Sequence, residues 1–409
     1  MRILLLAPHP FFQQRGTPIA ERMLLEVLTR EGHQVDVLTF HEGDDPGVPG
    51  CRVYRIPRLP VHNVRPGFSL KKLACDAVML GKVLTLVRRH RYDLVHAVEE
   101  SAFMALLGKW LFGVPYVYDM DSGLARQMTD KFPALGVLRN GLEWFEKGAV
   151  RGSVGTLAVC GALETQARAW NPEGLVALLE DVSLLSDADD GDGALDLHPP
   201  EWSGAPLVLY VGNLQAYQGI DLLLAAFERA VREVPEARLV VVGGDDESIA
   251  HYRNACRGEG LAGRVHFAGP RPVSELGACL RRATVLVSPR IHGDNTPMKV
   301  YSYLDSGRAL LATRLPTHTQ VLHDGIAHLA DPTPEAMATG LVRLLRDDAL
   351  RETLATNARR HAQKELTPEA FRRKLLAFYD LIAERLGCHT PWQTHQPASP
   401  SIPLPEGEG

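Results

Sequence analysis

The segment VSPRIHGDNTPMKVYSYLDSG, residues 287–307, places charged and polar side chains directly after an apolar run. Arg290 and Lys299 bring two positive charges, and Asp294 is the one carboxylate between them. Arginine offers a planar fork of donors that suits phosphate, whereas lysine offers a compact point charge. With the amide and hydroxyl groups of the same loop, these residue types are suited to binding an anion and hydrogen-bonding to hydroxyls beside it.

Two glycine-containing turns follow apolar runs in the same half of the chain. In VGNLQAYQG, residues 211–219, Gly212 allows the backbone to approach a ligand, and the next helix directs its amino end, where anions are favoured, the same way. The alternative is an ordinary turn with glycine chosen for its dihedral angles. In VVGGDDES, residues 241–248, Gly243 allows a similar approach, while Asp245 is best interpreted as a helix cap.

The first half of the chain contributes a pair of carboxylates. In YDMDSGLARQM, residues 118–128, Asp119 and Asp121 are two residues apart, so a strand directs both to the same side. The pair could hold a divalent metal against a diphosphate, or one carboxylate could face the chemistry. Alternatively, Asp121 caps the following helix. Arg15 and Gly16, in the loop after the first apolar run, could approach an anionic group across a cleft.

The elements around these loops are short, continuously apolar runs separated by amphipathic segments of helix length. Continuous rather than alternating hydrophobicity is typical of parallel strands that are covered on both faces. Two series of such runs predict an α/β protein with two doubly wound parallel-sheet domains. In sheets of this kind the functional loops lie at the carboxyl ends of the strands, so we expect them to face a cleft between the domains.

The segment SDADDGDGALDLHPPEWSGAP is rich in Asp, Gly and Pro and predicts a linker between the domains. Residues 367–387 predict one amphipathic helix. The polar sequence after it is too poor in apolar residues to fold into an ordered structure. The expected division is an acceptor-side domain at 1–185, the linker at 186–206, a donor-binding domain at 207–366, a terminal helix at 367–387 and a disordered tail at 388–409.

Composition indicates a globular protein and excludes some functions. Of 409 residues, 45% are hydrophobic and 23% charged, and the net charge of −5 argues against a general nucleic-acid binder. The six cysteines show no CxxC spacing, which is typical of reduced thiols in a cytosolic protein. We find no stretch of about 18 uncharged apolar residues that could span a membrane.

Residues 52–91 form a strongly basic region, with ten lysines or arginines and a single acid, Asp76. Within it, FSLKKLACDAVMLGKVLTLVRRHR predicts a helix on which cations such as Lys71, Lys72 and Arg88 flank an apolar stripe. Such a helix can rest on an anionic membrane surface. A solvated helix face is the alternative.

Together these segments resemble the retaining glycosyltransferases of family 4, which have the GT-B fold of two Rossmann-like domains facing across a cleft. The resemblance spans residues 1 to about 387 and includes REGHQVDVLT, YVGNLQAYQGIDLLLAAF and RVHFAGP. Its most specific part is the opening segment, where Pro297, Lys299, Tyr303 and Gly307 match a variant of the family signature. The resemblance also implies that the terminal helix returns to the first domain.

Three departures from the family pattern concern the site. Asn213 and Gln218 occupy positions where the family has an arginine and a lysine that contact the donor diphosphate. Asp294 and Ser302 replace the two carboxylates that hold the transferred sugar and the ribose. Asp121 stands in place of the first-domain histidine near the reacting sugar. A diphosphate brings about two negative charges, and burying them without cations costs several kcal/mol. We therefore expect Arg290 and Lys299 to supply the missing positive charge.

The resemblance implies transfer of a hexose-like unit from a nucleotide sugar to an acceptor hydroxyl, with Asp121 and Asp294 as catalytic residues. Neither a metal nor another cofactor is required on this interpretation. The residues expected to bind the donor are Gly16, Gly212, Asn213, Gln218, Gly243, Arg290, Asn295, Thr296, Pro297, Met298, Lys299 and Ser302.

The partners follow from the same interpretation. They are a nucleotide-sugar donor, an acceptor of unknown identity for which a lipid-linked glycan is one candidate, and an anionic membrane surface, but no nucleic acid. Such an enzyme would act in cell-surface polysaccharide or glycolipid synthesis, in the cytoplasm or at the inner face of the membrane. Two alternatives remain open: a sugar-nucleotide epimerase of the same fold, which needs no acceptor, and a non-catalytic protein that binds sugar nucleotides.

Overall fold

A computed structural model describes residues 1–13, 16–62, 64, 69–125, 128, 139–185, 196–258 and 260–388. Arg15, the first ten residues of the predicted linker (186–195) and the predicted tail from residue 389 onward lie outside the described residues. The described part forms two parallel sheets with helices packed on their faces.

The first sheet has seven strands in the order β3-β2-β1-β4-β5-β6-β7, and all neighbouring strands pair in parallel. The strands are β1 (Arg2–Ala7), β2 (Gln34–Thr39), β3 (Cys51–Arg55), β4 (Leu94–Val98), β5 (Tyr116–Met120), β6 (Gly155–Ala158) and β7 (Val176–Leu178). The helices that accompany them are α1 (Gly16–Arg30), α2 (Leu70–Arg89), α3 (Ser101–Phe112), α4 (Arg139–Gly152) and α5 (Gly161–Trp170).

The second sheet has six strands in the order β10-β9-β8-β11-β12-β13, again all parallel. The strands are β8 (Leu207–Val211), β9 (Arg238–Val242), β10 (Val265–Gly269), β11 (Val285–Ser288), β12 (Ala309–Thr313) and β13 (His328–Ala330). The helices are α6 (Ile220–Ala230), α7 (Asp246–Ala255), α8 (Leu276–Arg281), α9 (Lys299–Asp305), α10 (Pro316–Thr319), α11 (Pro334–Arg346), α12 (Asp348–Glu365) and α13 (Pro368–Leu386).

The continuous apolar runs form these strands because each sheet is buried on both faces. In β1, Ile3 and Leu5 belong to one core cluster, while Leu4 and Leu6 belong to the cluster on the opposite face. Alternate residues of a strand point to opposite faces, so a strand that is covered on both sides is apolar at every position. The predicted pair of doubly wound parallel sheets is therefore confirmed.

The terminal helix α13 packs on the first sheet rather than the second. Thr367 caps its start by accepting a hydrogen bond from the backbone N–H of Ala370 at 3.1 Å. Phe371 and Phe378 join the same core cluster as Ile3, and an ion pair links Arg372 to Glu31 on the chain after α1. The chain thus crosses back from the second sheet and covers one face of the first.

Helix α2 does not present the apolar stripe predicted for the basic region. Cys75, Met79 and Val83 of that stripe are buried in the domain core. Lys72 is also buried, and its ammonium pairs with Glu99 at 3.5 Å and with Glu100 at 2.6 Å. The expectation of a membrane-facing stripe on this helix is wrong, because the stripe anchors α2 to the sheet. Within the described residues, no helix combines the length and apolarity that crossing a bilayer requires.

Candidate active site

Three loops of the second sheet meet at the carboxyl ends of neighbouring strands. The loops after β9, β8 and β11 lie side by side because these strands are adjacent in the sheet. Gly243, with φ of 104°, makes this approach possible, since a Cβ there would collide with the carbonyl oxygen of Gly212. The predicted glycine turns therefore build one surface rather than two separate sites.

Lys299 begins α9 and directs its ammonium onto this surface. Its Nζ donates to Oε1 of Gln218 at 3.0 Å and lies 3.9 Å from the centroid of the Tyr210 ring. A Cβ at position 212 would come within 2.7 Å of the same Nζ, so Gly212 leaves room for the ammonium. Gln218 holds the lysine in place through its amide oxygen, and its predicted contact with the donor stays a prediction.

Arg290 lies beside Lys299 and is only 8% exposed. Its Nε donates to the carbonyl of His292 at 2.7 Å, and its Nη2 donates to Oδ1 of Asn295 at 3.0 Å. The guanidinium also lies over the ring of Tyr217, 5.2 Å from its centroid. These neutral contacts fix the orientation of the guanidinium group.

The two cations form a site of unbalanced positive charge. Within the described residues, neither Arg290 nor Lys299 forms an ion pair with a carboxylate. Burial lowers the pKa of Lys299 well below its usual value, and the charge of Arg290 lowers it further. Burial also lowers the pKa of Arg290, although nearby Tyr217 and Asp294 act in the opposite direction. An anion bound here would offset the positive charge of both side chains.

Residues 291–298, which we call the sugar loop because its side chains are predicted to meet the donor sugar, lead from this charged site toward the first domain. The carbonyl of Asp294 accepts a hydrogen bond from Nε2 of Gln320 at 2.8 Å, and the carbonyl of Asn295 accepts one from Oγ1 of Thr317 at 2.7 Å. Thr296 and Pro297 are buried, and Met298 immediately precedes α9 without making a side-chain capping bond. The loop is therefore held by its backbone, which leaves the side chain of Asp294 at the cleft.

A cavity of about 180 Å³ is lined by Asp294 and by residues of the first domain. The first-domain side chains that line it include Arg139 and Glu143 of α4 and Gln166 of α5. Carboxylate, guanidinium and amide groups together suit the donors and acceptors of a polyhydroxylated molecule.

Two other predicted donor-binding residues have structural partners. Ser302 is fully buried, and its hydroxyl accepts a hydrogen bond from the backbone N–H of Leu184 at 3.0 Å. Its assignment to the ribose stays a prediction, and this placement does not favour it. Asn213 is exposed at the rim, where its carbonyl accepts from the hydroxyl of Tyr210 at 2.6 Å. Gly16 begins α1 on an open surface, with nothing within 4 Å of the position of a Cβ.

Asp119 and Asp121 line one small cavity of the first domain, as their spacing predicts, together with Glu21 and Asp181. Burial raises the pKa of Asp121 well above its usual value, and the Asp119 carboxylate adds to the shift. Burial and Asp119 likewise raise the pKa of Asp181 to about 7. Both effects favour the protonated form of Asp121, which can donate a hydrogen bond. Among the described residues, no group of three or more His, Cys, Asp or Glu side chains is arranged to hold a metal ion.

Sequence reasoning missed the partners of this acidic cavity. His96 forms two hydrogen bonds, one through Nε2 to Oδ2 of Asp119 at 3.0 Å and one through Nδ1 to the hydroxyl of Tyr379 in α13 at 2.8 Å. The ring of His9 lies 3.0 Å from Oε2 of Glu21, and burial raises the pKa of that carboxyl. These residues come from distant parts of the chain, so no local motif signals that they meet.

Comparison with protein families decides what this architecture belongs to. The family model described as "Glycosyl transferase 4-like domain" matches residues 16–180, and the model "Glycosyl transferases group 1" matches residues 205–347. The first match takes in most of the first sheet and the second takes in the second sheet. The chain belongs to the group 1 glycosyltransferases. It is thus an enzyme that transfers a glycosyl group, as the resemblance implied.

Curated relatives of this glycosyltransferase include enzymes that are named for inositol compounds. The phosphatidyl-myo-inositol mannosyltransferase of Mycolicibacterium smegmatis is 26% identical over 362 residues, which is 86% of each chain. The D-inositol 3-phosphate glycosyltransferase of Corynebacterium diphtheriae is 31% identical over 176 residues, covering 39% of this chain and 40% of that protein. The similarity to the first relative extends through both domains.

Solved structures confirm the GT-B fold of the glycosyltransferase. Sucrose-phosphate synthase from Thermosynechococcus elongatus superposes with a TM-score of 0.75 at 20% identity, covering 94% of this chain and 99% of that one. Anabaena HepE, in complex with UDP-glucose, has a TM-score of 0.67 at 16% identity, covering 93% and 99%. At these identities the likeness concerns the fold.

Proposed function

We propose that this glycosyltransferase takes its sugar from a nucleoside-diphosphate sugar bound at the carboxyl end of the second sheet. The observation that carries the proposal is the pair of cations, Arg290 and Lys299, which are held by neutral contacts and have no bonded carboxylate among the described residues. Two desolvated charges that repel each other are costly unless a ligand offsets them. A diphosphate supplies the opposite charge, and the glycine turns beside it allow close backbone approach.

The positions of the neighbouring groups support a division of roles. Asp294, with Asn295 and Thr296, would meet the sugar hydroxyls, since the loop continues from the cations to the cleft. As the diphosphate leaves, the two cations would stabilise its developing charge electrostatically. Asp121 would act from the first domain as a neutral hydrogen-bond donor near the reacting centre. Retention of configuration is what the family resemblance implies for this arrangement.

We further propose that the acceptor is a polyol carried on a lipid. The polar cavity between Asp294 and α4 suits a ring with several hydroxyls, and the mycobacterial relative is named for transfer to phosphatidyl-myo-inositol. The outer surface of α2, α3 and α4 also exposes apolar side chains, which are Leu70, Leu73, Trp110, Leu111, Phe112, Trp144 and Phe145. Exposed tryptophans beside cations favour a membrane interface. We therefore assign the lipid contact to these exposed side chains, which we call the three-helix surface, rather than to the buried stripe of α2.

A thermal-shift screen tests the donor proposal. The protein is heated with UDP, with GDP, with UDP-glucose and GDP-mannose, and with the parent nucleosides. A ligand at 100 times its dissociation constant adds about 2.7 kcal/mol to the free energy of unfolding. We expect one diphosphate and its sugar to raise the melting temperature and the parent nucleoside to raise it much less. Equal shifts for nucleoside and diphosphate, or none for any compound, would contradict the proposal.

A further inference from the structure

The segment PTHTQ, residues 316–320, contacts the sugar loop at several points. Thr317 donates from Oγ1 to the carbonyl of Asn295 at 2.7 Å, and Gln320 donates from Nε2 to the carbonyl of Asp294 at 2.8 Å. The imidazole of His318 lies between Ser288 and Thr313, with ring nitrogens 2.8 and 2.9 Å from the two hydroxyls. Burial lowers the pKa of His318 to about 3, so the ring is neutral. This segment is thus the support on which the loop rests.

Gln320 differs from the other supporting residues because its second amide atom reaches the first domain. Its Oε1 accepts a hydrogen bond from the backbone N–H of Ala162 at 3.2 Å. Ala162 lies in the first turn of α5, where backbone N–H groups have no partner within the helix. The residue at the cap position, Cys160, makes no side-chain capping bond. Helix α5 of one domain is therefore capped by a side chain of the other.

The Asp294 carbonyl is contacted from both domains. Besides Gln320, the thiol of Cys160 approaches it, with Sγ 3.7 Å from the oxygen. Cys160 is buried where α5 begins, so the sugar loop sits against the end of that helix. An amide has one donor end and one acceptor end, and in Gln320 the two ends serve different domains.

We propose that Gln320 is a positioning residue, which holds the sugar loop in its working geometry only while the two domains are closed on each other. With the domains together, the amide is anchored at Ala162 and presents its Nε2 to the carbonyl of Asp294. With the domains apart, the amide loses its anchor and the loop loses a restraint. The inference rests on the proposed function, since it concerns the loop that we assign to the donor sugar.

Two substitutions separate the ends of the bridge. Gln320→Leu removes both hydrogen bonds at similar volume. Gln320→Glu keeps an oxygen for the N–H of Ala162 but sets an acceptor against the carbonyl of Asp294. Thr319→Ala, on the exposed neighbouring residue, is the matched control. Hydrogen–deuterium exchange of the free protein is followed in peptides covering residues 161–167 and 291–298, and this needs no ligand.

We expect Gln320→Leu to raise exchange several-fold in both peptides, and Gln320→Glu to raise it in 291–298 alone. The control should match the wild type. If Gln320→Leu leaves 161–167 unchanged, the bridge between domains contributes nothing and the proposal is overturned.

Turnover gives the second readout. With UDP-glucose or GDP-mannose as the probe, loss of two neutral hydrogen bonds should lower kcat about fivefold to a hundredfold. The Kd of the corresponding nucleoside diphosphate should change less than about twofold, because the cations that bind it are untouched. A Kd that worsens in step with kcat would overturn the positioning role. A wild-type enzyme that hydrolyses or transfers neither probe would count against the donor proposal, while the exchange experiment would still decide the bridge.

Discussion

Replacing Lys299 by methionine should affect the free enzyme and its complex in opposite directions. The substitution keeps a stem of similar length and removes the ammonium, whose polar contacts are Gln218 and the Tyr210 ring. The lost charge-assisted hydrogen bond to a diphosphate is worth about 1.5–3 kcal/mol, which is a roughly tenfold to 150-fold increase in Kd. In the free enzyme, removing a desolvated charge beside Arg290 should raise the melting temperature.

Calorimetry distinguishes these effects from a general disturbance. The diphosphate that the screen selects and its parent nucleoside are titrated into the wild type, Lys299→Met and the control Lys364→Met, which alters an exposed lysine of α12. We expect the variant to lose affinity for the diphosphate and to keep its affinity for the nucleoside. In the Lys299→Met background, the second substitution Gln218→Lys should partly restore diphosphate binding. Oε1 of Gln218 lies 3.0 Å from the ammonium of Lys299, so a lysine at position 218 can place its charge close to the one that was lost.

Proton uptake provides an independent check on the same residue. Burial and Arg290 lower the pKa of Lys299 in the free protein, and a bound diphosphate would raise it again. Binding should therefore take up protons at any pH above the free pKa and below the bound one. Titrations in buffers of different ionisation enthalpy measure this uptake, which should rise to a maximum between the free and the bound pKa and be absent in Lys299→Met. Equal loss of nucleoside and diphosphate affinity, with unchanged proton uptake, would refute the phosphate assignment.

Three further outcomes follow from the structure. Asp181 has a pKa of about 7 in the folded protein against an ordinary 3.8, so its stabilising contribution is complete below pH 4 and is lost as the pH rises through 7. The melting temperature of Asp181→Asn should consequently fall less than that of the wild type between pH 4 and 8. Asp121→Asn should keep most of kcat, since both the protonated acid and the amide donate a hydrogen bond. Asp121→Ala should lower kcat at least about tenfold. An Asn variant with a kcat as low as that of the Ala variant would show that the charge of Asp121 matters. In flotation assays, Trp110→Ser combined with Trp144→Ser should reduce recovery on anionic vesicles, and unchanged recovery would remove the three-helix surface from the membrane contact.

The charged loop shows how far local reasoning reaches into the site. Arg290 and Lys299 are nine residues apart after a buried strand, and that spacing alone placed both at the end of a sheet. A shared role toward a diphosphate was predicted for them because both lie on one loop. The role of Gln218 was not, since its contact with Lys299 joins two loops 81 residues apart along the chain.

Helix α2 and Ser302 show where the pattern is ambiguous. An apolar stripe flanked by cations reads the same whether it faces lipid or a sheet, and only the packing of Cys75 and Met79 in the core decided between them. Ser302 was placed at the ribose by its position in a motif, yet its hydroxyl meets Leu184 from the segment that joins the domains.

The sequence by itself determined the class of fold, because burial of a sheet on both faces demands apolar residues at every strand position, and this requirement is written locally. It also determined which loops reach the cleft, since strand direction in a parallel sheet is the same throughout. Only the tertiary structure decided that Glu21, Asp121 and Asp181 share one cavity, that burial beside other carboxylates raises the pKa of Asp121, and that Gln320 caps a helix of the other domain. Those facts depend on distances between residues far apart in the chain, and electrostatic and hydrogen-bond energies are set by such distances rather than by neighbours in sequence.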